Sequence, residues 1–551
     1  MNRRTLILGA LVLTMPFVGC QSADQLLDVT SPTTVSDELF WRQENDALLS
    51  LNGIYSQLPD WFEIIGHDGL TDNGAVNRQF DSRYVFSDGT FDPQSVYGRE
   101  RWWRSSGTNP VVLAGWFNGV AKANILLGNI DRIPAGKIDP ARKNRYIAEA
   151  KFLRAVLYLQ LVATYGPVPM PLTPLSDEEA RKLTNATVPQ LYDQIIKDLD
   201  EAAAVLPVSY TGNDIGRATK WAAVSYKARA ALYAGRYQVA ADAAKQVIDA
   251  NVYSLHPNYG ELFLYAGETS KERIFTHNYA KTTQASGQNN NIFGEYAPYT
   301  NSGTASVVPI RQLVDAYYMK DGLPITTSPL YVAKPWTPAD TLSYTSNRDP
   351  RLAFTILYPG APWDGNVFDS RPKGISARPE AIDLQNAQVS VTGLNIRKYI
   401  DLADKSDRGN GGLDIILMRY ADVLLMYAEA KFELGQGADA AALAAFNLVR
   451  QRPSVNMPPV ATLTRELIRN ERRVELAFEG LRLFDIRRWK IAEQVMPAPA
   501  VCGIDYISTT GATVRACQPV SARQFPARSY LWPIPQTELD LNPNLKQNTG
   551  F

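Results

Sequence analysis

The sequence predicts a mainly α-helical fold in which paired helices are separated by long irregular segments. Alanine recurs at helical spacing in two similar segments that lie 200 positions apart, Ala228–Ala240 and Ala428–Ala440. The pentapeptide Ala-Glu-Ala-Lys-Phe also occurs twice, at residues 148–152 and 428–432. Small side chains at this spacing allow two helices to approach closely, so each segment indicates part of a packed helical hairpin.

A glycine ends each of the two longer alanine-rich helices, at Gly235 and Gly435, and a second alanine-rich segment follows. Glycine readily adopts the positive φ that caps a helix, so these positions predict tight turns between paired helices. The Gly-x-Tyr-x-x-Ala pattern at the first turn resembles that of a tetratricopeptide (TPR) hairpin. We therefore expect one domain, residues 37–551, in which four TPR-like hairpins pack against a large irregular, loop-rich half. The helix pairs fall near residues 37–58 with 111–131, 142–205, 218–250 and 416–452, separated by insertions at 59–110, 254–310 and 322–412 and followed by a C-terminal segment at 462–551.

The N-terminus has the features of an export signal. Two arginines precede an apolar run, Leu6–Val18, which is too short to span a bilayer as a helix. A small residue followed by cysteine, Gly19-Cys20, resembles the cleavage site of a bacterial lipoprotein signal. We expect a signal peptide at 1–19, a lipid-modified Cys20 and a tether over 20–36; a plain secreted protein is the alternative.

Composition excludes some classes of partner and predicts one crosslink. Lys plus Arg and Asp plus Glu both total 56, so no excess of basic charge indicates a nucleic-acid or anionic membrane surface. Cys502 and Cys517 enclose a Gly- and Thr-rich stretch without CxxC spacing, which favours a structural disulfide over a reactive pair.

The sequence contains no HExxH, GxSxG, P-loop or GxGxxG motif and therefore predicts no cofactor or metal on that basis. Glu475 and Glu479 lie one helical turn apart, beside Arg472 and Arg473. Neighbouring arginines lower carboxylate pKa values, whereas an acid/base pair needs one raised pKa. We therefore predict that this charged run is a partly buried ion network that fixes the last helices to the scaffold.

Several further segments of the chain occur in an order typical of one family; they are Trp116–Asn124, Glu149–Ala155, Tyr165–Pro169, Asn470–Gly480, Asp485–Trp489 and Leu531–Pro535. Together these segments resemble the SusD/RagB nutrient-binding lipoproteins of the Bacteroidetes outer membrane. The resemblance implies a non-enzymatic protein, anchored to the outer membrane and facing the cell exterior, that binds an oligosaccharide or polysaccharide. It also implies a SusC-like TonB-dependent transporter as partner, to which the glycan is delivered. The terminal Asn548–Phe551 departs from the family's more usual Asn-Pro-Gly-Tyr.

The insertions combine aromatic rings with amide and charged side chains, which suits sugars. A flat ring covers the apolar C–H face of a sugar, while Asn, Asp and Arg bond its hydroxyls. Trp102 and Trp103 are adjacent, so in an extended segment only one of them would face ligand. The candidate glycan-binding residues are Asp72, Asn73, Arg78, Tyr84, Trp102, Trp103, Asn291, Tyr296, Tyr299, Asn301 and Trp336.

Other interpretations remain open at the level of sequence. A TPR adaptor would bind peptides or protein tails, and a lipoprotein of the same kind could bind a peptide nutrient. A glycoside hydrolase would need two carboxylates facing one sugar bond, and Asp68 and Asp72 are the early candidates. Their loop could also hold calcium, but the spacing misses the EF-hand pattern and favours a turn with Asx capping.

Overall fold

The computed structural model describes residues 40–102, 115–282, 289–372, 389–518 and 523–551. The expected signal peptide, Cys20 and the tether lie outside these ranges. None of the helices within them is both long and apolar enough to cross a bilayer.

Helices dominate the described chain, and the strands are short. The helices are α1 (Glu44–Tyr55), α2 (Trp61–Gly66), α3 (Tyr84–Asp88), α4 (Val96–Trp102), α5 (Trp116–Asn129), α6 (Pro140–Tyr165), α7 (Asp177–Ala180), α8 (Val188–Val205), α9 (Lys220–Tyr233), α10 (Tyr237–Asp249), α11 (Ile292–Tyr296), α12 (Arg311–Ala316), α13 (Arg351–Thr355), α14 (Tyr420–Glu433), α15 (Ala440–Arg450), α16 (Arg465–Glu475), α17 (Arg482–Arg488), α18 (Ala492–Val495) and α19 (Gln536–Leu541). The strands are β1 (Gly74–Val76), β2 (Arg273–His277), β3 (Val307–Pro309), β4 (Ile356–Leu357), β5 (Pro362–Trp363), β6 (Asn366–Val367), β7 (Asn395–Ile396), β8 (Ile415–Arg419), β9 (Val501–Ile507) and β10 (Thr513–Gln518).

Eight of these helices form the four hairpins that the sequence predicts. The contacting pairs are α1 with α5, α6 with α8, α9 with α10, and α14 with α15. Further contacts of α1 with α6, α8 with α9 and α10 with α14 join the hairpins into one scaffold. Ala230 and Ala244 are completely buried between the helices, as expected for small residues at close crossings. The mainly α, TPR-like fold class is confirmed.

Local sequence signals begin and end the scaffold helices. Gly235 and Gly435 have φ values of 71° and 77°, so both glycines take the predicted positive-φ turn between paired helices. Four of the eight scaffold helices begin with a side chain that accepts a backbone N–H from the first turn, which satisfies an otherwise unpaired donor. These residues are Asp139, Thr187, Thr219 and Asp439.

The strand pairs within the described residues are short and antiparallel; three of them connect segments that are distant in sequence, and two, β5–β6 and β9–β10, are local hairpins. The pairs in the described chain are β1–β3, β2–β8, β4–β7, β5–β6 and β9–β10. The β1–β3 pair joins the first insertion to the second, with Gly74 opposite Pro309. In the β9–β10 pair, Cys502 and Cys517 face each other and form the predicted disulfide.

A buried ion network centred on Glu475 holds the C-terminal helices, the last hairpin and the insertions together. The Glu475 carboxylate accepts hydrogen bonds from Arg351 at 2.8 Å, Arg419 at 2.7 Å and Arg452 at 2.8 Å. Arg419 also donates to Glu479 at 2.6 Å. Burial would raise the pKa of Glu475, but the three guanidiniums outweigh it and hold that pKa well below its usual range.

A second group of the network reaches the third hairpin. Arg472 donates to Asp422 at 2.9 Å and to Asp485 at 3.0 Å, while Arg229 of α9 donates to the other oxygen of Asp422 at 2.8 Å. These side chains are buried. The predicted ion network is therefore confirmed, and it is more deeply buried than the sequence indicated.

We expect Glu475→Gln to destabilise the protein by about 3–5 kcal/mol, because it leaves buried guanidinium charge without its carboxylate. Urea unfolding followed by far-UV circular dichroism measures the shift. Glu466→Gln is the matched control, since Glu466 lies on the same helix and is exposed. Equal unfolding midpoints for the two variants would contradict the role given to Glu475.

Candidate functional site

The first insertion is fastened to the second around a buried arginine. Arg83 donates to the Tyr296 hydroxyl at 3.2 Å and to Asp81 at 2.9 Å, and its guanidinium lies 3.8 Å from the centre of the Phe62 ring. Tyr296 is completely buried and its hydroxyl donates to the Phe62 carbonyl. Tyr296 therefore supports the insertions from inside, which corrects the expectation that it contacts ligand.

Two aromatic side chains stand exposed in the described part of the chain, one on each of these insertions. Phe80 is 83% exposed and Tyr299 is 41% exposed. The Arg78 guanidinium lies 5.6 Å from the Phe80 ring centre and donates to the Thr304 carbonyl at 3.0 Å. Arg78 therefore connects the Phe80 loop to the segment that carries Tyr299.

Asn301, two residues after Tyr299, is only 5% exposed and positions two neighbouring side chains, which corrects the expectation that its amide meets ligand directly. Its amide oxygen accepts a hydrogen bond from the Trp363 indole at 2.7 Å, and its amide nitrogen donates to Asp364 at 2.8 Å. Lys405 forms an ion pair with Asp364 at 2.5 Å. We call Arg78, Phe80, Tyr299, Asn301 and Asp364 the aromatic platform. Exposed rings together with fixed carboxylate and guanidinium groups match what a sugar offers.

Asp364 is a platform residue that sequence reasoning missed. It shares with Gly365 the two-residue turn between β5 and β6, where both residues have positive φ. Asp-Gly is the typical sequence of such a hairpin turn. The dipeptide could have predicted the turn, although not its contact with Asn301.

The structure corrects the expectation for Asp72 and Asn73, because both side chains are buried and bonded to the C-terminal helices. Asp72 accepts two hydrogen bonds from Arg482, each at 2.8 Å, and pairs with Arg473 at 3.0 Å. Asn73 donates to Asp68 at 2.7 Å and accepts from Arg473. The loop is held by these long-range bonds as well as by a local turn. Among the described residues no cluster of three His, Cys, Asp or Glu is arranged to hold a metal ion.

Trp102 is also buried, and it lies at the end of α4 instead of in an extended segment. Its ring centre is 4.7 Å from that of Phe117 and 5.0 Å from that of Tyr165. This packing corrects the expectation that Trp102 contacts ligand. Because Trp102 is helical, the opposite orientation of neighbours in an extended segment does not apply to it. Trp103 lies outside the described residues.

The remaining candidates lie in the insertions but outside the platform as defined. Tyr84 is half-buried in α3, and Asn291 immediately precedes α11. Trp336 is half-buried, with the Arg371 guanidinium 5.0 Å from its ring centre. Their contact with ligand stays a prediction.

Two family models match the chain and together cover most of the described region. The model of the SusD family matches residues 271–551, and a model described as starch-binding, associating with the outer membrane, matches residues 68–232. The chain belongs to the SusD family of carbohydrate-binding proteins.

Known relatives and solved structures agree over nearly the full length. A SusD-like protein of Formosa agariphila, P25, is 26% identical, and the match covers 97% of each chain. The crystal structure of a SusD-like carbohydrate binding protein from Bacteroides fragilis is 29% identical, with a TM-score of 0.79 over 92% of this chain and 100% of the other. A laminarin binding SusD-like protein shares the fold, with 23% identity and a TM-score of 0.67 over 93% of this chain and 100% of the other.

The Asp72 ion pairs predict a pH-dependent stability. Burial would raise the pKa of Asp72, but Arg473 and Arg482 outweigh it and lower the pKa from 3.8 to about 2. A depressed carboxyl pKa stabilises the fold above the unfolded pKa, and that contribution is lost as the pH falls from about 4 to about 2. We expect Asp72→Asn to cost about 2 kcal/mol at pH 7 and progressively less below about pH 4.

Urea unfolding midpoints across this pH range measure the Asp72 effect. Asp131→Asn is the control, because Asp131 is exposed and pairs only at the surface with Lys143. A difference between Asp72→Asn and the wild type that stays constant down to pH 2 would contradict the assignment.

Proposed function

We propose that this protein captures a glycan at the cell surface on the aromatic platform and delivers it, without catalysis, to a SusC-like TonB-dependent transporter. The observation that carries the proposal is the pair of exposed rings, Phe80 and Tyr299, on a surface fixed by Arg78 and Asn301. Membership of a carbohydrate-binding family supports it.

The platform suits reversible binding of a neutral sugar. The two rings offer apolar area to C–H faces, and the carboxylate of Asp364, which the buried Asn301 amide holds in place, is positioned to meet hydroxyls. An open surface leaves many sugar hydroxyls in water, so we expect modest affinity and little dependence on salt.

The platform carboxylate, Asp364, is poorly suited to acid catalysis, which supports binding without turnover. A general acid needs a raised pKa, but hydrogen bonds from Lys405 and Asn301 lower the pKa of Asp364. Glu63 and Asp68 have pKa values raised by burial, to about 7 and about 6, but both side chains are enclosed in the interior. They have no open path to a polysaccharide.

We place the protein on the outer membrane, facing outward, through acyl chains on Cys20. We expect Cys20→Ser to abolish labelling by radioactive palmitate and to release the protein from the outer-membrane fraction. Immunoblots of separated membranes provide the readout. Unchanged labelling of the variant would disprove lipidation at this residue.

Phe80→Ala and Tyr299→Ala test the platform. Each substitution removes one ring that is proposed to face the sugar. For a neutral polysaccharide that retards the wild-type protein, we expect each variant to bind about tenfold more weakly, which corresponds to the 1–2 kcal/mol of a lost aromatic contact. Affinity electrophoresis in gels containing neutral polysaccharides measures retardation.

Ile215→Ala is the matched control, because Ile215 is exposed and lies in the scaffold half between α8 and α9. If both aromatic variants are retarded by the polysaccharide as strongly as the wild-type protein, the platform is not the glycan site.

A further inference from the structure

A row of arginines lies along one side of helix α16. Arg465, Arg469 and Arg473 follow one another at intervals of four residues, so they lie on one side of the helix. Together with Arg482 they line an open groove of about 410 Å³. Glu466, Asn470 and Ile491 complete the lining. We call this the arginine groove.

The carboxylates around the groove only partly neutralise these arginines. Arg473 and Arg482 share one partner, Asp72, at 3.0 and 2.8 Å. Arg465 pairs with Glu433 at 3.2 Å, and its side chain remains 55% exposed.

Arg469 is the exception among the four, because within the described residues it has no ion pair. Its guanidinium lies 5.2 Å from the centre of the Trp489 ring. The ring lies beside the guanidinium, and among the described residues no hydrogen bond occupies the N–H donors of Arg469, so they are left for another acceptor. Of the groove residues, Arg469 is therefore the one best placed to bind an anion.

Burial acts differently on the charges of the groove arginines. Burial, and then Arg465, lowers the pKa of Arg469, although Glu429 and Glu433 act in the opposite direction. Burial also lowers the pKa of Arg473, to about 10. Burial would lower the pKa of Arg482 as well, but Asp72 outweighs it and raises that pKa.

We propose that the arginine groove binds an oxyanion, the sulfate or carboxylate group of an anionic glycan. A guanidinium presents paired N–H donors that match two oxygens of such a group, which the ammonium of lysine cannot do. The proposal rests on the proposed glycan-binding function, but it uses residues outside the aromatic platform. The groove thereby adds recognition of charge to a platform suited to neutral sugar faces.

Dextran sulfate and uncharged dextran test the proposal, because the two polymers share a backbone and differ in sulfate. We expect affinity electrophoresis to show retardation by dextran sulfate that decreases with salt, and at least about tenfold weaker binding by Arg465→Gln/Arg469→Gln. The double variant keeps Arg473 and Arg482, which hold Asp72, so we expect it to fold.

Arg142→Gln is the matched control, since Arg142 is a surface arginine at the start of another helix and its side chain is 57% exposed. We expect this variant to bind dextran sulfate like the wild type. Thermal unfolding with sodium sulfate, compared with sodium chloride at equal ionic strength, is a second arm. Stabilisation of the wild type by sulfate that the double variant loses would show that the groove also takes the free anion.

Dextran sulfate retardation that is the same for the wild type and the double variant would overturn the proposal. Loss of a co-purified transporter by the double variant, with dextran sulfate binding unchanged, would also overturn it and identify the groove as a protein contact. Failure of the platform is distinguishable, because Phe80→Ala and Tyr299→Ala act on neutral glycans and leave the arginines in place.

Discussion

The fold depends on one buried carboxylate, Glu475, and the arginines that surround it. Arg351, Arg419 and Arg452 reach it from three separate parts of the chain. Buried charges are tolerable only when each has its partner in good geometry, so the segments that carry them must dock in one arrangement. The ion network thus fixes the arrangement of the segments in the irregular half, as apolar packing fixes the arrangement of the helices in the hairpins.

The Asp68–Gly74 loop connects the C-terminal helices, which the ion network holds, to the protein surface. Asp72 and Asn73 bond to arginines of the C-terminal helices, and the next residues form β1, which pairs with β3. The segment before β3 carries Tyr299 and Asn301. The aromatic platform and the arginine groove are therefore both built against this loop, whose buried side chains support each surface without facing ligand.

The kind of chemistry in the insertions was predictable from sequence, but the exposure of each side chain was not. Tyr296 and Tyr299 are three residues apart and equally plausible as sugar contacts from sequence. In the structure Tyr296 is buried and bonded to Arg83, whereas Tyr299 is exposed. Asn301 was expected to meet ligand directly, and the structure uses its amide to fix Trp363 and Asp364. Aromatic and amide groups serve packing and recognition equally well, so residue type alone cannot separate the two roles.

The sequence by itself determined the helical hairpins, their glycine turns, the disulfide and the family, because these depend on residues close in the chain or on ordered blocks of sequence. It also indicated that the charged run of the C-terminal helices is structural. Only the tertiary structure decided which rings and guanidiniums remain open to solvent. Exposure is set by contacts between residues such as Arg83 and Tyr296 or Asp72 and Arg482, which are far apart in sequence and whose pairing no local pattern records.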